Sequence, residues 1–245
     1  MILSKPFLSL VLPVYNEAQR LPQAIEKIDT FVRQNEYETE VLIVENGSTD
    51  ETLSIAKNLS QNKPYLKVYE ETQRGKGLAV RQGMLKARGK YRMMCDVDFS
   101  MPIEQVSWFI PPNLSDVEVA IGSREVPGAR RYEEPAYRHL IGRVFNTMVR
   151  WLVLPGLHDT QCGFKCFHED VVENVFPLQT LEGMSFDSEV LFIARKKGFS
   201  IKEVPIDWYF DPDSRVRLIQ DSLRMAIDLI TIRQNARKGL YDGQA

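Results

Sequence analysis

The feature that most constrains the fold is an alternation of short apolar runs with amphipathic segments in the first half of the chain. Residues 7–12 (FLSLVL) and 40–45 (EVLIVE) have the length and composition of buried strands. Between them, apolar residues recur at helical spacing over 21–35. The same reading predicts strands over 66–70, 91–96 and 117–123, and a helix over 77–88. Because such alternation is typical of βαβ units, we expect an α/β fold with a mostly parallel central sheet flanked by helices.

The second half of the chain is less regular, with long helical stretches near 135–153 and 216–237. It shows no internal repeat and no low-complexity linker. A chain of 245 residues is compatible with one large α/β domain. We therefore expect a single domain over 1–245, with a C-terminal amphipathic helical region at 215–238 within it.

Composition excludes several classes of function. Thirty-one Lys plus Arg against 33 Asp plus Glu give a net charge of -2, without the basic surplus of a nucleic-acid binder, so we expect no nucleic-acid partner. Cys95, Cys162 and Cys166 are too few for a disulfide framework and lack the spacing of a zinc site, so buried free thiols are expected. No Gly-x-Gly-x-x-Gly follows the first strand, which argues against a dehydrogenase.

The sharpest motif is Asp96-Val97-Asp98 at the end of the predicted fourth strand. Two carboxylates at i and i+2 on a turn can share a divalent ion, or divide between a ribose and a metal. Magnesium takes one or two carboxylates and completes its shell with substrate phosphates. Since a nucleotide diphosphate leaving group develops charge that a cation neutralises, Asp96 and Asp98 are candidate metal ligands for Mg²⁺ or Mn²⁺.

Three other polar loops also follow predicted strands or precede helices. Residues 13–17 bring a carboxylate and backbone amides, 45–50 form a small turn-prone segment, and 73–77 combine basic residues with glycines that suit a diphosphate. In a parallel sheet, ligands bind beyond the carboxyl ends of the strands, so these loops predict a nucleotide site. The residues that the loops offer to a nucleotide are Glu17, Glu45, Asn46, Gly47, Arg74 and Lys76.

Seven segments together resemble a known family. They read PVYNE (13–17), ENGSTDET (45–52), RGKGLAVRQGM (74–84), DVDFSMP (96–102), GSR (122–124), DTQCGFKCF (159–167) and FDSEVLFIA (186–194). Over roughly residues 7–237 the chain resembles the family 2 glycosyltransferases with the GT-A (Rossmann-like) fold. Within that family it is most similar to the polyprenyl-phosphate sugar transferases, particularly the dolichyl-phosphate β-glucosyltransferases, with the mannosyltransferases next.

The resemblance implies roles for individual residues. Asp98 would be the principal metal ligand, and Asp96 would hold the ribose or the metal shell. The nucleotide site would be lined by Pro13, Tyr15 and Glu17. Arg124 and Arg138 would bind the acceptor phosphate, which guanidinium groups contact in bidentate fashion. Further catalytic candidates in the acceptor region are Asp159 and Asp187, and Arg215 is expected to close over the diphosphate from the C-terminal side.

Two departures from the family pattern affect these expectations. The family usually has two aspartates where this chain has Glu45-Asn46, a segment that contacts base and ribose, so uridine and guanosine both remain open. The mannosyltransferases often have glutamine at the position of Ser100, so a third protein ligand to the metal is not expected.

The implied reaction is inverting, metal-dependent transfer of a hexose, with glucose favoured, from a nucleotide-sugar such as UDP-glucose to a polyprenyl or dolichyl phosphate. Mannosyl transfer from GDP-mannose is the alternative. An acceptor phosphate is already anionic, so positioning and charge stabilisation suffice, whereas hydroxyl acceptors need a base such as Asp159 or Asp187. A nucleotidyltransferase leaves DTQCGFK and the paired arginines unexplained. A non-catalytic binding module has no need of two metal carboxylates.

Membrane contact is expected to be peripheral. The N-terminus lacks a signal-peptide pattern, and no stretch approaches the roughly 20 apolar residues that span a bilayer. The C-terminal region combines Arg and Lys residues with an apolar stripe through Ile219, Leu223, Ile227 and Ile230. Such a helix suits either an anionic membrane surface or the core, as does the helix around Leu140. We expect a cytoplasmic protein associated with the cytoplasmic face of a membrane.

Overall fold

The computed structural model describes residues 5–98, 100–212 and 218–243, with side chains from Ser222 onward in the last range. The strands in these residues are β1 (Leu8–Val14), β2 (Thr39–Asn46), β3 (Leu66–Glu71), β4 (Tyr91–Met94), β5 (Val119–Ser123), β6 (Arg130–Tyr132), β7 (Lys165–His168), β8 (Ile201–Pro205) and β9 (Asp207–Tyr209). The helices are α1 (Leu21–Gln34), α2 (Thr52–Ser60), α3 (Lys76–Lys86), α4 (Ala136–Leu152), α5 (Glu169–Val175), α6 (Phe186–Lys196) and α7 (Leu218–Arg237), with 3₁₀ turns at Ile103–Phe109 and Phe176–Leu178.

Seven strands form the central sheet in the order β3-β2-β1-β4-β7-β5-β8, and β6 pairs with β9 in a separate two-stranded sheet. Within the central sheet β7 runs antiparallel to both β4 and β5, and the other pairings are parallel. The predicted mostly parallel α/β sheet is therefore confirmed. The antiparallel insertion has a consequence for the site, because the residues before β7 reach the same edge as the carboxyl ends of the parallel strands.

The apolar runs read as buried strands because helices cover both faces of the sheet. Side chains alternate along β2: Val41 and Ile43 join a core with α1 and α2, whereas Leu42 and Val44 join a second core with α3 to α7. Gly83 lets α3 approach closely, since a Cβ there would lie 2.4 Å from Val11 Cγ1. This contact fixes the start of α3 at the sheet edge that carries the polar loops.

Most element predictions agree with the structure to within a few residues. The fourth strand is shorter than predicted and ends at Met94, so Asp96 lies in the following turn. The last predicted helix is observed as Leu218–Arg237. The three cysteines are free and buried, as expected.

Candidate active site

Asp96 follows β4, and two neighbours constrain its carboxylate. Lys76, the first residue of α3, places its Nζ 2.8 Å from Asp96 Oδ1 and 3.0 Å from Oδ2. On the other side Gly163 packs so closely that a Cβ there would lie 2.2 Å from Asp96 Oδ2. Burial lowers the pKa of Lys76, but the carboxylates of Asp96, Asp187 and Asp98 together outweigh burial, and the pKa is raised. Lys76 and Asp96 therefore form a charged pair whose position depends on α3 and on the turn before β7.

Asp98 lies two residues beyond Asp96 and is exposed. The backbone amide of Ser100 donates to Asp98 Oδ1 at 3.0 Å. Partial burial of the carboxyl and then the nearby Asp96 charge raise the pKa of Asp98. A cavity of about 290 Å³ opens beside it, lined by Arg20, Gln23, Ala24, Lys27, Val97, Asp98, Ser100, Tyr209, Phe210, Asp211 and Pro212.

The donor set of this turn suits a hard divalent cation. Two carboxylates stand close enough to raise the pKa of Asp98 through repulsion, which a bound cation relieves. Within the described residues no group of three or more His, Cys, Asp or Glu side chains is arranged around a metal position. Asp96 and Asp98 thus resemble the sites where Mg²⁺ binds one or two carboxylates and takes its other ligands from water and substrate phosphates.

The loops after β1 and β2 are bonded to each other. Asn16 adopts a positive φ of 53°, and its Oδ1 accepts from the Thr49 amide at 2.8 Å. Its own amide donates to Ser48 Oγ at 2.9 Å, and the Glu17 amide donates to Thr52 Oγ1 at 2.8 Å. These bonds hold the two predicted nucleotide loops in one rigid unit at the edge of the sheet.

The Glu45-Asn46 segment holds the neighbouring loops in place. Both residues are buried at the end of β2, and Glu45 Oε1 accepts from the Ser48 amide. Asn46 Oδ1 accepts from the Gly75 amide at 2.9 Å, which links the second loop to the start of α3. Gly47 has a φ of +66°, which a non-glycine residue rarely adopts.

The remaining predicted nucleotide residues lie around the same loops. The Arg74 guanidinium lies 4.4 Å from the centre of the Tyr15 ring, a cation–π contact that presents both groups at the sheet edge. Pro13 lies within β1, opposite Val44, rather than in the loop. Glu17 lies 3.8 Å from Arg20, which also pairs with Asp211 at 2.9 Å.

Arg124, directly after β5, forms a two-pronged ion pair with Asp159. The Nε to Oδ2 distance is 2.6 Å, the Nη2 to Oδ1 distance is 2.9 Å, and the Arg124 amide also donates to Oδ2 at 3.1 Å. Asp159 is fully buried. Burial alone would raise the pKa of Asp159, but the Arg124 charge, the hydrogen bonds from Arg124 and the Lys165 charge together outweigh burial and lower the pKa to about 2. One edge of the guanidinium is therefore committed to Asp159.

Strand β9 connects the two arginines that are predicted to bind the acceptor to the turn that carries Asp98. The Trp208 ring lies 5.3 Å from the Arg124 guanidinium, and the Tyr209 amide donates to the Ser100 carbonyl at 2.7 Å. Arg138, in the first turn of α4, lies 5.0 Å from the centre of the Phe210 ring. Arg124 and Arg138 thus lie against consecutive parts of one segment, whose next residues border the Asp98 cavity.

Asp187 lies in the first turn of α6 and is buried, as is its partner Lys165. The Lys165 Nζ lies 2.7 Å from Asp187 Oδ1 and donates to the Cys162 carbonyl. Burial raises the pKa of Asp187, with Lys165 acting in the opposite direction. Like Asp159, this carboxylate is neutralised by a cation and is closed to solvent.

Sequence reasoning identified Asp96, Asp98 and the loops around them, and the structure places these at one edge of the sheet. It did not identify Lys165 or Gly163, although both belong to the DTQCGFK segment that carried the resemblance. Arg215 lies outside the described residues. The metal, nucleotide and acceptor roles assigned above stay predictions.

The chain is similar to known proteins over most of its length. The dolichyl-phosphate beta-glucosyltransferase of Saccharomyces cerevisiae is 35% identical over 256 residues, covering 96% of this chain and 76% of that protein. The enzyme of the same name from Dictyostelium discoideum is 31% identical over 253 residues, covering 96% and 76%.

Among solved structures, glucosyl-3-phosphoglycerate synthase from Mycobacterium tuberculosis, crystallised with Mn²⁺, UDP-glucose and phosphoglyceric acid, superposes with a TM-score of 0.68. It is 17% identical, with 96% of this chain and 80% of that chain covered, and this likeness confirms the GT-A fold. The profile of glycosyl transferase family 2 matches residues 9–176. With its sheet, its Asp-x-Asp turn and these similarities, the chain belongs to glycosyl transferase family 2.

Proposed function

We propose that this protein transfers glucose, with inversion, from UDP-glucose to dolichyl phosphate or a related polyprenyl phosphate, with Mg²⁺ or Mn²⁺ bound at Asp98 and Asp96. The similarity to dolichyl-phosphate beta-glucosyltransferases extends over almost the whole chain. It favours glucose over mannose and transfer over nucleotidyl chemistry.

The choice of acceptor rests on one observation: the two candidate bases, Asp159 and Asp187, are both buried and ion-paired. Asp159 is paired with Arg124 and Asp187 with Lys165, and both carboxylates are buried. A general base must reach the proton that it removes, and neither carboxylate faces solvent. An acceptor that is already an anion needs no such group, so the geometry favours a phosphate over a hydroxyl.

Different groups of described residues act on the donor and on the acceptor. A divalent cation at Asp98 would supply positive charge to the leaving diphosphate. Lys76 balances the Asp96 carboxylate, and the rigid loops around Asn16 and Asn46 orient the nucleotide. On the other side Arg138 and the uncommitted edge of Arg124 attract and orient the acceptor phosphate. Catalysis then rests on alignment and charge stabilisation.

The first prediction concerns the reaction itself. Purified protein, radiolabelled UDP-glucose, a short-chain polyprenyl phosphate and Mg²⁺ or Mn²⁺ are expected to yield an organic-extractable glucolipid. Removing the metal with EDTA should abolish the product, and readdition should restore it. GDP-mannose run in parallel should give little product. A preference for GDP-mannose would change the sugar, and release of pyrophosphate would instead indicate a nucleotidyltransferase.

Two neighbouring helices expose an apolar surface that suits a lipid-linked acceptor. Helix α4 packs against α7. Their outward large apolar side chains are Tyr137, Leu140, Val144, Met148 and Trp151 on α4 and Leu223, Ile227 and Ile230 on α7. The inward side chains, Phe145 and Val149 on α4 and Leu229 and Ile232 on α7, fill the core instead. Most of the apolar stripe predicted on the last helix is therefore exposed, whereas Ile219 lies among side chains outside the described ones.

We propose that this α4–α7 face contacts the membrane peripherally. Arg138 stands in the first turn of α4, so a bilayer against this face would present a lipid phosphate near the acceptor arginines. Exposed basic residues surround the face, namely Arg143, Arg224, Arg233, Arg237 and Lys238, and each such residue near an anionic surface contributes about 1 kcal/mol. In the described residues no helix is both long and apolar enough to cross a bilayer.

The second prediction tests this contact with matched tryptophans. Trp151→Glu is expected to reduce co-sedimentation with anionic liposomes by roughly 10-fold or more, because burial of one large apolar side chain contributes about 1.5–3 kcal/mol. Trp108→Glu replaces a tryptophan that is also exposed but lies in the 3₁₀ turn at Ile103–Phe109, away from α4 and α7 in the chain, and it should bind as the wild type does. High salt should weaken liposome binding by the wild type and by Trp108→Glu. Equal binding by the two variants would exclude α4 as the docking surface.

A further inference from the structure

Glu189 on α6 is a completely buried carboxylate to which the reaction above gives no part. Four neutral groups donate to it. The amides of Thr180 and Leu181 reach Oε2 at 3.0 and 2.7 Å. The hydroxyls of Thr180 and Tyr241 reach Oε1 at 2.5 and 2.7 Å. A buried carboxylate is costly to retain, and in the described part of the chain its four donors are all neutral.

The bonds hold the turn formed by residues 179–182, and that turn packs against the start of α3. The Gly77 amide donates to the Glu182 carbonyl at 2.8 Å, and Gln179 Nε2 donates to the Gly77 carbonyl at 2.9 Å. The contact is so close that a Cβ on Gly75 would lie 2.5 Å from Glu182 O, and one on Gly77 would lie 2.6 Å from Leu181 O. Any shift of the turn must therefore move the backbone on both sides of Lys76.

Lys76 is the residue whose ammonium binds both oxygens of Asp96. A continuous set of short contacts thus leads from Glu189, through the 179–182 turn and Gly77, to the carboxylate beside the metal position. The adjacent residues on α6 make equivalent links, since Asp187 bonds to Lys165 and Ser188 Oγ accepts from Gln161. Helix α6 therefore supports the donor side from two directions.

We infer that Glu189 is a positioning residue for the nucleotide-sugar: it holds the 179–182 turn against α3 and so sets where Lys76 places Asp96. This inference rests on the proposed function, because it takes Lys76 and Asp96 as the donor side of the site. It assigns Glu189 no contact with substrate. Its effect on the reaction is transmitted through backbone position.

The test uses the full chain and measures UDP binding with Mn²⁺ by calorimetry, KM for each substrate, and thermal unfolding. Glu189→Gln keeps the shape of the side chain but replaces one acceptor oxygen by an NH₂ group. It is expected to weaken UDP binding and raise KM for UDP-glucose by roughly 10-fold or more, as is typical when a supporting hydrogen bond behind a metal site is lost. KM for the lipid phosphate should change by less than about twofold.

Ser185→Ala is the matched control. Ser185 is buried at the start of α6 and donates to Asp228 Oδ2 at 2.6 Å, so its loss also costs a partly buried hydrogen bond of α6, and this bond is not to residues 179–182. It should lower the unfolding temperature while leaving UDP binding unchanged. If it weakened UDP binding as much as Glu189→Gln does, general destabilisation would account for both and the inference would be overturned.

Two further variants test whether Glu189 acts on UDP binding through the 179–182 turn and Lys76. In a Lys76→Met background, adding Glu189→Gln should weaken UDP binding by less than about twofold, because both changes act through one ammonium group. If the losses of UDP affinity from Lys76→Met and Glu189→Gln multiplied in the double variant, the inference would be overturned. Gly77→Ala adds a methyl group that presses on the 179–182 turn from the α3 side. It should weaken UDP binding and raise KM for UDP-glucose with Glu189 intact. This variant tests the role of the turn if Glu189→Gln fails to fold. Wild-type protein that binds neither UDP nor UDP-glucose would overturn the proposed function itself, and this inference with it.

Discussion

Asp98→Asn is expected to abolish sugar transfer while leaving the fold intact. A neutral amide is a poor ligand for a hard cation, so transition-state stabilisation should fall by about 3 kcal/mol or more, which is at least ~100-fold in kcat. The side chain is exposed, and Asn Oδ1 can still accept the bond from the Ser100 amide, so the free energy of unfolding should change by less than about 0.5 kcal/mol. The measurement is turnover of UDP-glucose across a Mn²⁺ titration.

Asp116→Asn provides the control for that experiment. Asp116 is also an exposed aspartate, but it precedes β5 at the opposite edge of the sheet from the polar loops. Its φ of 58° is a conformation that asparagine tolerates well. We expect wild-type turnover from this variant. Near-normal turnover by Asp98→Asn at saturating metal would show that Asp98 is not the metal ligand.

Arg124→Ala is expected to destabilise the protein, by about 3–5 kcal/mol, because it leaves the buried Asp159 carboxylate without its cation. Urea unfolding at neutral pH measures this. The pKa of Asp159 is lowered to about 2 by Arg124, so the pair's contribution is present above the ordinary aspartate pKa of about 3.9. It is lost as the pH falls towards 2. The difference between wild type and variant should therefore be largest at neutral pH and shrink as the pH falls, because in the variant the buried Asp159 is relieved by protonation and in the wild type the pair is lost towards pH 2.

Arg138→Ala gives the contrasting outcome. Its guanidinium lies over Phe210 on a part-exposed surface, so removal should leave the unfolding free energy within about 0.5 kcal/mol of wild type. The effect should instead be a higher KM for polyprenyl phosphate, with UDP binding unchanged. Equal losses for donor and acceptor would place Arg138 on the nucleotide or in the fold.

An Arg124→Ala variant as stable as the wild type would contradict the role given to the Asp159 pair.

The parallel part of the fold could be predicted because its signals are local. Strands buried on both faces read as short continuous apolar runs, and the helices between them repeat apolar residues at their own spacing. Strand β7 could not be identified in this way. Its four residues, KCFH, begin with a lysine, which reads as a surface residue until Asp187, 22 positions further on, is known to pair with it.

The candidate site shows the same difference between local sequence signals and long-range contacts. Asp96 and Asp98 are two positions apart in the sequence, and a carboxylate pair after a strand indicates metal chemistry by residue type alone. The burial of Asp159 and Asp187 depends on partners that the chain brings from 35 and 22 residues away. Residue type suggested two possible bases, whereas the ion pairs in the structure neutralise both.

The sequence by itself therefore determined the α/β class, the family, the Asp-x-Asp turn and the order of the polar loops, because each depends on residues close together in the chain. Only the tertiary structure decided which charges are paired, which faces of α4 and α7 are exposed, and that Glu189 supports the start of α3. These depend on contacts between distant segments, where burial makes one missing partner cost several kcal/mol. Gly163 shows the difference: in the sequence it is one glycine among 14, and in the structure its missing side chain is the space that Asp96 occupies.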